Sequence, residues 1–334
     1  DPGVEVVYSS DVIDFARTKG YYTGTNEDFS FSDTYAPLDF GAARACEIRV
    51  WSFFKEVNQS MWDYFDYAKG HNLKHRMPLY IKPERKISVK DMMNFMRDHL
   101  EGTELDMRKD PGAGPHAMPY RWRPMEWKYE GKEYVNERAT ATQQTGFSFV
   151  AQARNWLPDP IGGIFWFSVD YVASTVYFPA YCGITAVPES YAEGKGDMLT
   201  YCDHCAFWTF NKVSNFAYLR YDLMSQDIKK VQDELEGRFI SNTQVVDATA
   251  LKLYEQNQPE AIRFLTDYSV NTGDYVVTRW EKLFQFLLLK YMDGNVKQVD
   301  ENGQFIYNEY HQCPARVSNP EYPDWWKKAV IDAT

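Results

Sequence analysis

The chain has 334 residues, 44% of them hydrophobic and 25% charged, and its 47 acidic against 36 basic side chains leave a formal net charge of -11. That make-up supports a large buried core and excludes a disordered polypeptide. The acidic excess argues against nucleic acid or an anionic membrane surface, since either partner calls for a basic face, and a small or neutral ligand suits it better.

No run of eighteen apolar residues offers a membrane span. The 24 Tyr, 21 Phe and 10 Trp fit either a peptide- or sugar-binding surface or a core built on rings. Five cysteines, Cys46, Cys182, Cys202, Cys205 and Cys313, are an odd number spread over a long chain, so no disulfide scaffold is expected and at least one thiol is free. Asp1-Pro2-Gly3-Val4 has neither an initiator methionine nor the regions of a signal peptide, and reads as a start inside a longer polypeptide.

Three zones follow in chain order. Residues 1–131 mix loops with two helices. The spacing of Ala45, Ile48, Val50, Trp51, Phe54, Val57, Met61 and Phe65 predicts one from Phe40 to Tyr67. Ser88 with Asp91 three residues on marks the start of the other, ended by Gly102. Asp110 to Pro115 reads as an ordered loop. Residues 132–186 concentrate strands, predicted at Glu133–Gln144, Phe147–Arg154, Gly163–Asp170 and Thr175–Cys182, with connections too short for anything but antiparallel neighbours.

Residues 187–334 are mainly helical, with helices predicted at Ala206–Leu223, Ser225–Arg238, Asp247–Val270 and Tyr275–Met292. A Pro- and aromatic-rich end from Pro314 to Trp326 is expected to wrap the surface. Helices, then an antiparallel sheet, then helices define an α+β protein organised as one domain over 1–334. Four strands are few for this length. Either more strands hide in the first zone or further sequence completes the sheet.

Several side-chain groups could carry chemistry. Cys202-Asp203-His204-Cys205 has metal-ligand spacing but lacks the second pair that a four-ligand zinc site needs, so no metal is expected. Cys182 closes a predicted strand before Gly183; it reads either as a buried structural cysteine or as the nucleophile of a thiol hydrolase, which would need a base brought in by folding. His71 and His75 are four apart beside Gly70 and Pro78, and are expected to face solvent. His116 has no assigned role.

Residues 136–154 differ in kind. Two arginines, several hydroxyls and three glutamines occupy consecutive extended segments, where Arg138, Thr140 and Thr142 would share a face. Such groups need partners, either one another or a ligand, and an arginine there could grip a peptide carboxylate in a bidentate fork.

Around these residues the sequence resembles the bacterial cysteine dipeptidases of the dipeptidase A and D type, within the N-terminal-nucleophile hydrolases. The likeness runs through Asn136-Glu137-Arg138, Thr145 to Arg154, Trp156 to Gly163, Tyr181 to Thr185 and Ala206 to Asn211, with Pro119-Tyr120-Arg121-Trp122-Arg123-Pro124 upstream. It implies a four-layer αββα fold and hydrolysis of small peptides by an N-terminal cysteine whose own α-amino group is the base. No cofactor is implied, and the setting would be periplasmic or secreted. It points to Arg138 as the active-site arginine, with Gln152 and Arg154 as weaker candidates; Thr140 and Thr142, on the face predicted to be shared with Arg138, join Gln152 and Arg154 as substrate-binding candidates. Residue 1 is Asp and no cysteine is N-terminal, so the chain is expected to be the C-terminal portion of such an enzyme, inactive without its N-terminal part. A nonenzymatic peptide-binding protein is the alternative.

Overall fold

Three antiparallel strands, β3 (Phe147–Ala153), β4 (Gly163–Val169) and β5 (Phe178–Tyr181), form the sheet that organises the larger part of the molecule, in the order β3-β4-β5. The computed structural model describes residues 8–121 and 124–334; Asp1, Trp122 and Arg123 lie outside them. The chain divides into two compact units, Asp1–Glu84 and Arg85–Thr334, and the architecture is α+β.

In the first unit α1 (Val12–Thr18) is followed by short turns and by α2 (Ile48–Lys55). The long helix expected from Phe40 to Tyr67 is broken. A π-helical turn covers Ala43–Glu47, and past Lys55 the extended Asn58 (φ -151°, ψ 114°) caps a 3-10 helix at Gln59–Tyr64 by accepting from the Ser60 N–H. An Asn that bonds its own backbone offers the chain an alternative to continuing the helix. The apolar periodicity survives the break, so Trp51, Met61 and Tyr67 are still buried together.

In the second unit α3 (Val89–Phe95) starts at the expected capping box, with Ser88 and Asp91 bonding each other's backbone. Next comes a small hairpin, β1 (Glu126–Tyr129) with β2 (Lys132–Val135). Here the expected strand Glu133–Gln144 stops at Val135. Thr145 turns back onto the Thr142 carbonyl through both its N–H and its Oγ1, and Ala141 N–H reaches the Asp98 carbonyl, so the hydroxyl-rich segment bonds locally rather than along a ladder.

Three helices pack around the sheet: α4 (Ala206–Ala217), α5 (Tyr221–Gln256) and α6 (Gln258–Tyr291). The two long ones replace three predicted helices. The single break falls at the extended Asn257, and Pro259 stands in the first turn of α6, where its missing N–H costs nothing. After α6 the end of the chain forms a two-residue ladder, β6 (Val296–Lys297) with β7 (Val317–Ser318), and α7 (Asp324–Ala333), so the expected surface wrap ends in a helix.

Strand alternation decides which residues meet the helices. Val150, Ile164, Trp166 and Tyr181 point inward and join Phe210, Trp280, Leu235, Leu265 and Leu287 in one core. Buried Glu236 on α5 ties the layers together, accepting from Arg97, from Lys90 at 2.7 Å and from the Tyr177 N–H at 3.1 Å. Burial pushes this carboxyl up, but Arg97 and Lys90 outweigh that and hold it below its ordinary range.

The other face is uneven. Over β5, Phe178 is covered by Tyr191 and by α6 at Gly273, where any Cβ would stand 2.4 Å from Pro188. Over β3 and β4 it carries a stack of rings, with Phe149 on Phe165 at 4.5 Å and Phe165 on Phe167 at 5.6 Å. Tyr191 and Phe178 meet Phe167 at one end of the stack, whereas the other end stays open: Phe147 is 62% and Phe149 46% exposed.

Candidate active site

Asp170 follows β4 in a left-handed conformation (φ 66°) that a non-glycine residue adopts only when its surroundings hold it there. Its N–H donates to the Gly146 carbonyl at 2.9 Å, and its buried carboxylate accepts from Asn211 Nδ2 and Ser214 Oγ, both at 2.8 Å. Burial raises the Asp170 pKa above its ordinary value despite those bonds. The result is a fixed acceptor at the end of a strand, coupled to the middle of α4.

Beside it opens a cleft of about 250 Å³ lined by Tyr120, Gln143, Asn211, Asn215, Trp208 and Tyr218, among others. Amides and ring faces suit the backbone and side chains of a short peptide, because each amide offers both a donor and an acceptor. A second hollow adjoins it, sharing Met198, Phe207 and Trp208, and a third shares Ser190 and Cys205 with the second.

Behind the cleft, rings carry the packing inward: Tyr120 meets Tyr218 at 5.2 Å, and Tyr218 meets Tyr171 at 5.9 Å. The buried His99 accepts from the Tyr171 hydroxyl at Nε2 and donates from Nδ1 to Glu101 Oε1 at 3.1 Å. Burial pushes Glu101 up, but the His99 bonds and the Arg108 charge bring it down to about 2. An ionised Glu101 therefore fixes the imidazole tautomer and, through it, the tyrosine next to Asp170.

The candidates read from sequence divide between the two ends of the sheet. Arg138, Thr140 and Thr142 lie at the cleft end, on the loop that carries Gln143, with Arg138 exposed and Thr142 bonded to Gln143 and Gln144. Gln152 and Arg154 lie at the far end. Gln152 accepts from Trp166 Nε1 at 3.0 Å on the inner face, and buried Arg154 donates to Asp247 and to the Gly162 and Ile161 carbonyls. The seven-residue β4 puts roughly 20 Å between these ends.

Cys182 is also at the far end, and it is exposed rather than buried, with its sulfur against Gly163 on the open face. It follows the short β5, and the residue facing it across the strands, Gly163, has no side chain to cover it. Cys202 and Cys205, read from the sequence only as an incomplete metal-ligand pair, are joined in a disulfide, because a turn closed by Cys205 N–H to the Cys202 carbonyl brings their Cα atoms to 5.4 Å, while Cys46, Cys182 and Cys313 stay free. Among the described residues no group of side chains could hold a metal ion.

Sequence reasoning missed His99, Glu101 and Asp170. Asp170 left one signal, an acidic residue closing an apolar strand; a buried His and Glu two residues apart leave none. Two stretches that carried the resemblance, around Tyr120 and from Ala206 to Asn211, do converge on this cleft.

An antiparallel sheet backed by helices thus carries an amide- and ring-lined cleft at one end. The chain belongs to peptidase family C69, whose model it matches over residues 2–234. A "Probable dipeptidase" of Salmonella dublin is 25% identical over 186 residues, which make up 55% of this chain and 37% of that relative. The chain thus spans little more than a third of the curated relative that it matches.

Proposed function

We propose that this chain is the helix-backed portion of a cysteine dipeptidase, and that the nucleophile comes from sequence outside residues 1–334. The observation that carries the reading is the ring stack of Phe147, Phe149, Phe165 and Phe167 beside a furnished cleft, with Phe147 and Phe149 exposed and Phe165 half-buried. A sheet that leaves the outer end of such a stack in water on one face is suited to receive a second sheet, which would complete an αββα arrangement. The matched family and the partial coverage of the Salmonella relative support the same view.

In this reading the cleft binds a short peptide. Gln143, Asn211 and Asn215 bond its amides, the rings hold its side chains, and Arg138 takes its free carboxylate in a fork flanked by Thr140 and Thr142. Gln152 and Arg154 belong to the scaffold. An N-terminal cysteine, with its α-amino group near pKa 8 as base, would attack the scissile carbonyl.

The test compares two preparations of verified mass, residues 1–334 alone and the whole product of the reading frame. Dipeptide hydrolysis that iodoacetamide abolishes is expected of the second and not of the first. Hydrolysis by residues 1–334 alone would overturn the proposal, and its loss in Cys182→Ser would then move the nucleophile to Cys182. A reading frame that adds no cysteine-bearing segment would overturn it too.

A further inference from the structure

We propose that Cys202 and Cys205 form a thiol–disulfide exchange site, preferring cationic or neutral thiols, whose bridge tethers the loop 192–201 beside the cleft. The inference rests on thiol chemistry alone and stands apart from the peptidase reading.

Three features of the bridge support it. Its placement is one: Cys205 is the N-cap residue of the twelve-residue α4, and both cysteines line an open hollow of about 510 Å³. The two sulfurs are also unequal, since Cys205 is buried and Cys202 half-buried, so an incoming thiolate reaches Cys202 first. The bridge is furthermore the seat of a loop. A Cβ built at Gly196 would stand 3.0 Å from Cys202 Cβ and 3.5 Å from Cys205 Sγ, so the chain lies against the disulfide there. Beyond Gly196 the loop closes on itself, Asp197 and Thr200 exchanging backbone bonds of 3.2 and 3.3 Å. Its Met198 lines the cleft together with Trp208 of α4.

The exchange balances as follows. A thiolate attacks Cys202 Sγ, the S–S bond breaks, and its electron pair leaves on Cys205 Sγ. The positive end of α4 favours that thiolate, which makes Cys205 the better leaving group. A second thiol then attacks the outer sulfur of the mixed disulfide and frees Cys202. Two thiols become one small disulfide, and the protein gains two thiols.

Charge selects the reagent. Glu189, Asp274 and Glu281 line the hollow against Lys195 and His204, and Lys195 is already paired with Glu189 at 2.7 Å. An anionic thiol meets repulsion there; a cationic one is drawn in, more so at low salt.

The experiment uses the full chain. Denatured without reductant it should titrate three thiols, and after dithiothreitol five. Under native conditions cysteamine should open the bridge at least several-fold faster than glutathione at equal thiolate concentration, and high salt should shrink the ratio. Cys205→Ser should take up cysteamine from cystamine at Cys202 at least tenfold faster than Cys202→Ser does at Cys205. Trypsin should cut after Lys195 several-fold faster once the wild-type bridge is reduced. Five thiols without reduction, or a bridge that opens only in denaturant, would overturn the site. Glutathione matching cysteamine would overturn the charge preference, and an unchanged cut at Lys195 the tether.

Discussion

The two faces of one small sheet have been treated differently by the same chain. Inward, Ile164, Trp166 and Tyr181 lie under helices and are 1% exposed, with the Trp166 N–H and the Tyr181 hydroxyl each given a partner. Outward, on the same strands, Phe149 is 46% exposed and stacks only on Phe165, which in turn lies half-buried on Phe167. β-propensity cannot explain the difference, because both sets are aromatic and β-branched residues on the same backbone. What differs is the presence of a covering layer, and an apolar side chain contributes to stability only through the water it sheds.

The sharpest test sets one ring against another. Trp166→Ala should cost about 3–5 kcal/mol, since it empties a filled core site, whereas Phe149→Ala should change stability by less than about 1 kcal/mol in residues 1–334. Urea denaturation followed by circular dichroism measures both. A large loss at Phe149 in the isolated chain would mean that the outer face is already covered. In a longer chain whose added segment packs there, the same substitution should become as damaging as Trp166→Ala.

The arginines give a second, smaller contrast. Arg154→Ala removes the buried guanidinium from Asp247 and from the Ile161 and Gly162 carbonyls, leaving Asp247 only the Tyr181 hydroxyl and Gly162 only the backbone N–H of residue 154, and should destabilise the chain by about 3 kcal/mol. Arg138→Ala removes an exposed side chain and should leave stability within about 0.5 kcal/mol. In an active full-length enzyme the order should reverse, with Arg138→Ala raising KM for a free-carboxylate dipeptide more than for its amide. Equal effects on both substrates would remove Arg138 from carboxylate binding.

These contrasts also show what could be read from the sequence. The three strands of the main sheet and the capping box were legible because alternation and capping are local. The route of residues 136–146 was not, since hydroxyl-rich segments look extended in sequence yet spend their hydrogen bonds on neighbouring backbone. Pro259 was a visible break that helical periodicity on both sides concealed. For the site, Arg138, Thr140 and Thr142 were found near the cleft, but Asp170 and His99 owe their places to contacts with residues 41 and 72 positions away. No short-range pattern encodes such pairings.

The smallest expected effect lies where the inner layer meets the cleft, at Glu101. Its folded pKa, near 2, is below the ordinary value of 4.5, so the carboxylate is better stabilised in the folded state than in the unfolded one. The sign follows: Glu101 contributes fully above about pH 4.5, and the contribution fades as the pH falls toward 2. Because the side chain is one-third exposed, solvent screening reduces the gain to about 1–2 kcal/mol. Glu101→Gln should therefore lower Tm by a few degrees at pH 6, and the gap to wild type should close on acidification. The lost carboxylate also frees His99 to turn, so Tyr171 and the strand end at Asp170 should loosen, seen as faster amide exchange at Asp170. A gap that stays constant from pH 6 to pH 2 would assign the loss to packing and leave the imidazole held by Tyr171 alone.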